Sequence, residues 1–205
     1  MTAHPDLIRQ ERARPSAIAD RMSNLLDPGI VVAALVLAVA RAASPGWLPA
    51  LGWSALIVTF AVLLPYAALA LLVRTGRVAD RHVIRRDERH LPALIALVSV
   101  VVGTLVLTAL NAPRDLLALV WALVAGVATL GLVTTMSKAS LHTAVIAGAV
   151  TILTIRLGAG ALLLSPLVAL VGWARWRAGR HTGWQVALGA ALGAASAGLT
   201  FAGLR

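Results

Sequence analysis

The chain has no cysteine and few acidic residues: eight Asp and Glu stand against eighteen Lys and Arg among 205 residues. Without cysteine, neither a disulfide framework nor thiolate chemistry nor a cysteine-based zinc site can form. Asp80 and Asp87 are the only candidates for a paired-aspartate magnesium site, and no second aspartate-rich loop accompanies them. Magnesium-dependent prenyl or alcohol phosphotransfer is therefore excluded. We predict no metal site and no cofactor.

Lysine is nearly absent too, since Lys138 is the only one and every other basic residue apart from histidine is arginine. A net charge of +10 is compatible with nucleic-acid binding, but the arginines lie between apolar stretches and form no separate basic domain. Anionic lipid or phosphate headgroups are the partners that such a distribution favours. Nucleic acid is not expected as a partner.

Apolar residues dominate the chain. They make up 60% of it, against roughly 45–50% in a soluble domain. They are gathered in several separate stretches that approach the ~20 residues needed to cross a bilayer. The sequence therefore predicts an all-α fold, a polytopic transmembrane helix bundle embedded in the cell membrane.

The apolar runs and their polar interruptions predict seven spans, at residues 29–43, 52–74, 92–111, 115–136, 142–157, 160–175 and 185–203. The first, fifth and sixth are short for a hydrocarbon core of ~30 Å, so six spans remain an alternative. Residues 1–28 form a polar tail of mixed charge, unlike a secretory signal. Within the tail, residues 16–26 could form a surface helix. The membrane domain is 29–205, and its oligomeric state is left open.

Three linkers hold most of the arginines: 74–90, 137–142 and 175–185. Two predicted spans separate each from the next, which places all three on one membrane face together with the N-terminal tail. The positive-inside rule makes that face cytoplasmic. Alternatively, some of these arginines are kept for ligand binding and imitate a topology signal. Inside the last span, Gly189 and Gly193 stand four apart, a spacing that permits close helix approach within one bundle.

Two of the linkers bring a histidine to the start of an apolar helix. Residues 137–142 read SKASLH, and residues 174–185 read ARWRAGRHTGWQ. A helix N-terminus favours a bound anion. Histidine can attack phosphorus or protonate a leaving group, and arginine offers bidentate donors to phosphoryl oxygens. The pattern predicts a phosphate site between His142 and His181.

These linkers resemble the phosphatidic-acid-phosphatase type 2 superfamily, whose motifs run K-x6-RP, PSGH and SR-x5-H-x3-D. Arg175, His181 and Gln185 reproduce the spacing of the third motif, with glutamine in place of its aspartate. Ser140 and His142 match the second motif without its proline and glycine. The first motif is matched loosely by residues 80–92, which read DRHVIRRDERHLP.

The resemblance implies a membrane phosphatase domain with its active site at one face. His181 would be the nucleophile that forms a phosphohistidine, and His142 the acid that protonates the leaving lipid oxygen. Gln185 can accept the imidazole N–H but adds no negative charge. The phosphate-binding residues implied are Arg175, Ser140 and Arg89, with Arg85, Arg86 or Lys138 replacing the lysine of the first motif.

Two functions follow from these residues. The first is a metal-independent phosphatase acting on a lipid phosphate, such as a prenyl phosphate or diphosphate, a phosphorylated prenyl sugar or phosphatidic acid. The alternative is a catalytically inactive lipid-phosphate binding or structural membrane protein of the same fold. A simpler interpretation exists for each residue: the 74–89 loop binds anionic headgroups, and the two histidines only cap helices. A transporter is disfavoured because the charges cluster at one face.

Overall fold

The computed structural model describes residues 21–22, 24–78 and 90–205. Every regular element in this part of the chain is helical, so the all-α prediction is confirmed. We label the helices α1 (Pro28–Ala43), α2 (Trp47–Arg74), α3 (His90–Ala109), α4 (Arg114–Met136), α5 (Leu141–Leu157), α6 (Ala159–Arg177) and α7 (Gly183–Leu204). The predicted surface helix over 16–26 lies mostly outside the described residues.

Five of these helices, α2, α3, α4, α6 and α7, are long and apolar enough to cross a bilayer. Helices α1 and α5 are equally apolar but have only 16 and 17 residues. At a rise of 1.5 Å per residue they extend about 25 Å, slightly less than the ~30 Å hydrocarbon core. The structure therefore describes a multi-pass helical protein with five candidate spans.

Helix α2 begins at Trp47, five residues before the predicted span, because Pro49 falls in its first turn. The first four N–H groups of a helix have no intrahelical acceptor, so proline costs no hydrogen bond there. A π-helical turn interrupts α2 at Thr59–Leu63. The carbonyl oxygen of Phe60 in this turn accepts a hydrogen bond from Ser99 Oγ at 2.6 Å, which ties α2 to α3.

Helix α5 lies at the centre of the bundle and packs against α1, α6 and α7, while α4 packs against α3 and α7. The contact between α5 and α7 is close because it runs through glycines. A Cβ on Gly193 would contact the backbone of Ala144, and a Cβ on Gly189 would contact Ser140 and Thr143. The close helix approach predicted from the spacing of Gly189 and Gly193 is confirmed.

Arginine side chains form an ion pair and hydrogen bonds at the end of the bundle where α1, α5 and α7 end and α4 begins. Arg156 Nε pairs with Asp115 Oδ2 at 2.6 Å, and Arg156 Nη2 donates to the carbonyl oxygen of Ala42 at 2.6 Å. Arg114 Nε donates to the carbonyl oxygen of Leu204 at 3.0 Å. These contacts cover the last carbonyls of α1 and α7, which lack intrahelical donors.

Candidate functional site

The two histidine-bearing linkers lie against each other at the opposite end of the bundle. The N–H of Ser140 donates to the carbonyl oxygen of Gln185 at 3.0 Å, and Lys138 Nζ donates to the carbonyl oxygen of Arg180 at 2.9 Å. One backbone and one side-chain hydrogen bond thus connect segments that are about 40 residues apart in the sequence. The predicted site residues that the structure gathers at this end are Lys138, Ser140, His142, Arg175, His181 and Gln185.

Ser140 is fully buried and caps α5. Its Oγ accepts the N–H of Thr143 at 3.5 Å. Thr143 Oγ1, also fully buried, lies 3.1 Å from the carbonyl oxygen of Ser140 and 3.0 Å from that of Val186. This hydroxyl shares its single proton between α5 and α7. Thr143 thereby fixes the first turn of α5, which carries His142, against the first turn of α7.

Arg175 lies in the last turn of α6 and is buried, with 7% of its surface exposed. Two hydrogen bonds close the end of this helix, from Gly179 N–H to Trp176 O at 3.0 Å and from Arg180 N–H to Arg175 O at 3.2 Å. Gly179 has φ +66°, as this Schellman turn requires. The turn reverses the chain, so that Arg180 and His181 return toward Arg175.

His142 stands in the first turn of α5, outside the five candidate spans, and is half-buried. Electrostatic interactions reach it from Arg175, Arg180, His181 and Asp27. Burial, together with the positive charge of Arg175, lowers the pKa of His142 to about 3, because both disfavour the protonated form. His142 is therefore neutral at pH 7 when no anion is bound.

Gln185 forms a capping box with Thr182 at the start of α7. Its Oε1 accepts the N–H of Thr182 at 3.2 Å, and its own N–H donates to Thr182 Oγ1 at 3.3 Å. A hydroxyl residue followed three positions later by Glu or Gln is the sequence pattern of this cap. Gln185 thus has a structural role at the helix terminus.

The acid Asp27, which the sequence places in the polar tail, lies within electrostatic range of His142. It caps α1 by accepting the N–H of Gly29 at Oδ1 at 2.9 Å, and the hydroxyl of Tyr66 on α2 donates to the same oxygen. Its negative charge opposes the effect of the arginines on His142. The capping role of Asp27 can be predicted from the local sequence, because an acid directly before Pro28 and an apolar run is a typical N-cap.

The first-motif residues Arg85, Arg86 and Arg89 lie outside the described residues. Within 21–22, 24–78 and 90–205, no group of three His, Asp or Glu is placed to hold a metal ion.

Comparisons with family models, with curated proteins and with solved structures find no match for this chain.

Proposed function

We propose that the protein is a metal-independent phosphatase of membrane lipids, which hydrolyses a phosphomonoester or diphosphate of a prenyl or glycerolipid. The observation that carries this proposal is the contact between the two linkers, which collects a buried Arg175, the half-buried His142 and His181 at one end of the bundle. A buried guanidinium beside two imidazoles is a suitable environment for a phosphate group.

The reaction proceeds in two displacements. His181 attacks phosphorus, the bond from phosphorus to the lipid oxygen breaks, and that oxygen takes a proton from His142. Water then attacks the phosphohistidine and gives its proton to His142, which releases inorganic phosphate and restores both histidines. Arg175 donates to the oxygens of the phosphoryl group throughout.

His142 has a low pKa in the free protein, so it can act as the acid only after a bound substrate has raised that pKa. Without an anion, burial and the charge of Arg175 keep His142 neutral. A bound phosphate brings negative charge between the two residues and offsets that effect, so the imidazole takes up a proton. Asp27 acts in the same direction. His142 is thus protonated in the substrate complex, where it must donate a proton to the leaving oxygen.

The proposed topology includes α1 and α5 as short crossing helices, the crossing part of α5 beginning after its polar first turn. With both counted, the bundle crosses seven times and the three charged linkers share one face. The positive-inside rule makes this face cytoplasmic. The site would then hydrolyse lipids of the inner leaflet.

A second candidate is a lipid-phosphate binding protein of the same fold without turnover. The capping role of Gln185 favours it, because no carboxylate at that position stabilises a charged His181. The two candidates differ in a single observable, the release of phosphate.

The test is phosphate release from prenyl phosphates and phosphatidic acid by purified protein in detergent with EDTA present. The matched pair of variants is His181→Ala and His4→Ala, the latter in the tail that no motif includes. We expect activity in the wild type and in His4→Ala, and a loss of at least 100-fold in His181→Ala. Turnover that survives in His181→Ala would refute the nucleophile, and binding without turnover in the wild type would favour the second candidate.

A further inference from the structure

A groove of about 340 Å³ runs between α1, α5 and α6, and all of its lining side chains are apolar. Helix α1 and the turn before it contribute residues from Leu26 to Ala38, and α5 contributes residues from Ile146 to Leu153. Leu164 and Leu167 form the wall from α6. The groove thus lies between the same three helices that carry Asp27, His142 and Arg175 at their polar ends.

The wall from α5 leads directly to His142. Ile146 and Leu153 of the groove follow His142 by four and eleven residues, and residues at these intervals share one face of an α-helix. The groove wall and the imidazole therefore form a continuous stripe along α5.

The walls from α6 and α1 reach the same end. On α6, Arg175 follows Leu167 of the groove by eight residues, two helical turns toward the site. In the turn before α1, Leu26 of the groove stands next to Asp27, whose charge acts on His142. Three independent helices thus converge on the residues proposed to hold the phosphate.

A second apolar groove, of about 630 Å³, lies beside α1 and does not share this geometry. It is lined by Arg41, Trp47 and Leu157 at the other end of the bundle. The guanidinium of Arg41 lies 5.2 Å from the centre of the Trp47 ring. The groove between α1, α5 and α6 is therefore distinguished by its continuity with the site, and not by its volume or apolar character.

We propose that the groove between α1, α5 and α6 holds a hydrocarbon chain of the substrate while its phosphate lies at His142 and Arg175. This inference rests on the proposed function and specifies its substrate as a lipid with at least one long linear chain. Eleven residues separate His142 from Leu153, and eleven separate Leu164 from Arg175, which corresponds to about 16 Å of helix. This depth is about half of the ~30 Å hydrocarbon core, the depth of one leaflet.

Two neighbouring leucines on α6 provide a matched pair of variants at the end of the groove that lies far from His142. Leu164 lines the groove and is 39% exposed, whereas Leu163 is 85% exposed and does not line it. Leu164→Trp shortens the groove, and Leu163→Trp adds the same bulk outside it. The two substrates are octyl phosphate, whose chain is too short to fill the groove, and hexadecyl phosphate.

Each buried methylene contributes about fourfold to kcat/KM, so the wild type should prefer hexadecyl phosphate strongly. Leu164→Trp should raise KM for hexadecyl phosphate about tenfold or more, since more than one methylene is displaced, and leave octyl phosphate unchanged. Leu163→Trp should change neither. Equal effects of the two variants, or an equal loss on both substrates, would overturn the proposal.

A binding measurement separates this proposal from the proposed function. Hexadecyl phosphate with a diazirine at the chain end is crosslinked to wild-type protein, and the labelled peptides are identified by mass spectrometry. Labels on α1, α5 and α6 near Ala38, Leu153 and Leu164 support the groove, even if the protein releases no phosphate. Labels spread over α2, α3 and α4 contradict it, even if the protein is an active phosphatase.

Discussion

Replacing Gly189 with alanine should damage both the fold and the site, because α7 contacts the first turn of α5 at this glycine. The added Cβ would contact the carbonyl oxygen of Ser140 and lie 2.6 Å from Thr143 Oγ1 and 3.0 Å from Ser140 N. Backbone atoms of a capped helix cannot rotate away as a flexible side chain can. The two helices must therefore separate.

The size of the effect follows from the distances. Ordinary contact begins at 3.4 Å, so the Cβ must move at least 0.8 Å from Thr143 Oγ1. The same displacement breaks the bonds from Ser140 N to Gln185 O and from Thr143 Oγ1 to Val186 O, both now 3.0 Å. Each buried bond lost costs about 1–3 kcal/mol, and alanine returns about 1 kcal/mol of helix propensity. The net loss is roughly 1–5 kcal/mol, and a shift near 1 Å at the site can lower turnover ~100-fold.

Thermal unfolding in detergent and phosphate release measure the two effects of Gly189→Ala. The matched control is Gly126→Ala on α4, where the nearest atom to the added Cβ is Ser196 Oγ at an ordinary 3.9 Å. We expect the control to keep the wild-type melting temperature or to raise it slightly. A Gly189→Ala protein as stable and as active as this control would refute the close contact between α5 and α7.

Three further predictions concern ionisable residues. Arg156→Ala should lower the free energy of unfolding by about 1–3 kcal/mol, because it leaves the partly buried Asp115 unpaired. Since Arg156 lies at the far end of the bundle, kcat should not change, and a large fall in kcat would contradict this assignment. Asp27→Asn keeps a good N-cap but removes negative charge near His142, so the melting temperature should hold while the alkaline limb of the rate profile, where the general acid His142 loses its proton, moves to lower pH. An unmoved profile would remove Asp27 from the site. Because His142 has a pKa of about 3 in the fold against 6.5 unfolded, the unfolded state binds the extra proton between these values. Stability should therefore fall by about 1–2 kcal/mol from pH 7 to pH 5, and His142→Asn should flatten this slope in urea titrations.

The helices themselves were largely readable from the sequence, because long apolar runs bounded by Pro, Gly and charge leave few alternatives in a bilayer. The close packing of α5 on α7 was readable from Gly189 and Gly193. The number of crossings was not, since α1 and α5 fall just below the length that a full crossing needs.

Contacts between distant residues were harder to predict. The sequence places Asp27 in a polar tail, and only the fold brings it to Tyr66, 39 residues away, and within electrostatic range of His142. Gln185 occupies the position of the aspartate in the third motif, although the local pattern from Thr182 to Gln185 indicates a capping box. The placement of Asp27 depends on contacts between distant residues, whereas the cap at Gln185 is encoded within four neighbouring residues.

The proposed phosphohistidine at His181 can be trapped by mixing protein with a radiolabelled lipid phosphate, quenching during turnover and mapping the labelled peptide. We expect a base-stable, acid-labile label on His181 that is absent from His181→Ala and unaffected in His4→Ala. Phosphate release without any labelled protein, or a label that persists in His181→Ala, would contradict it.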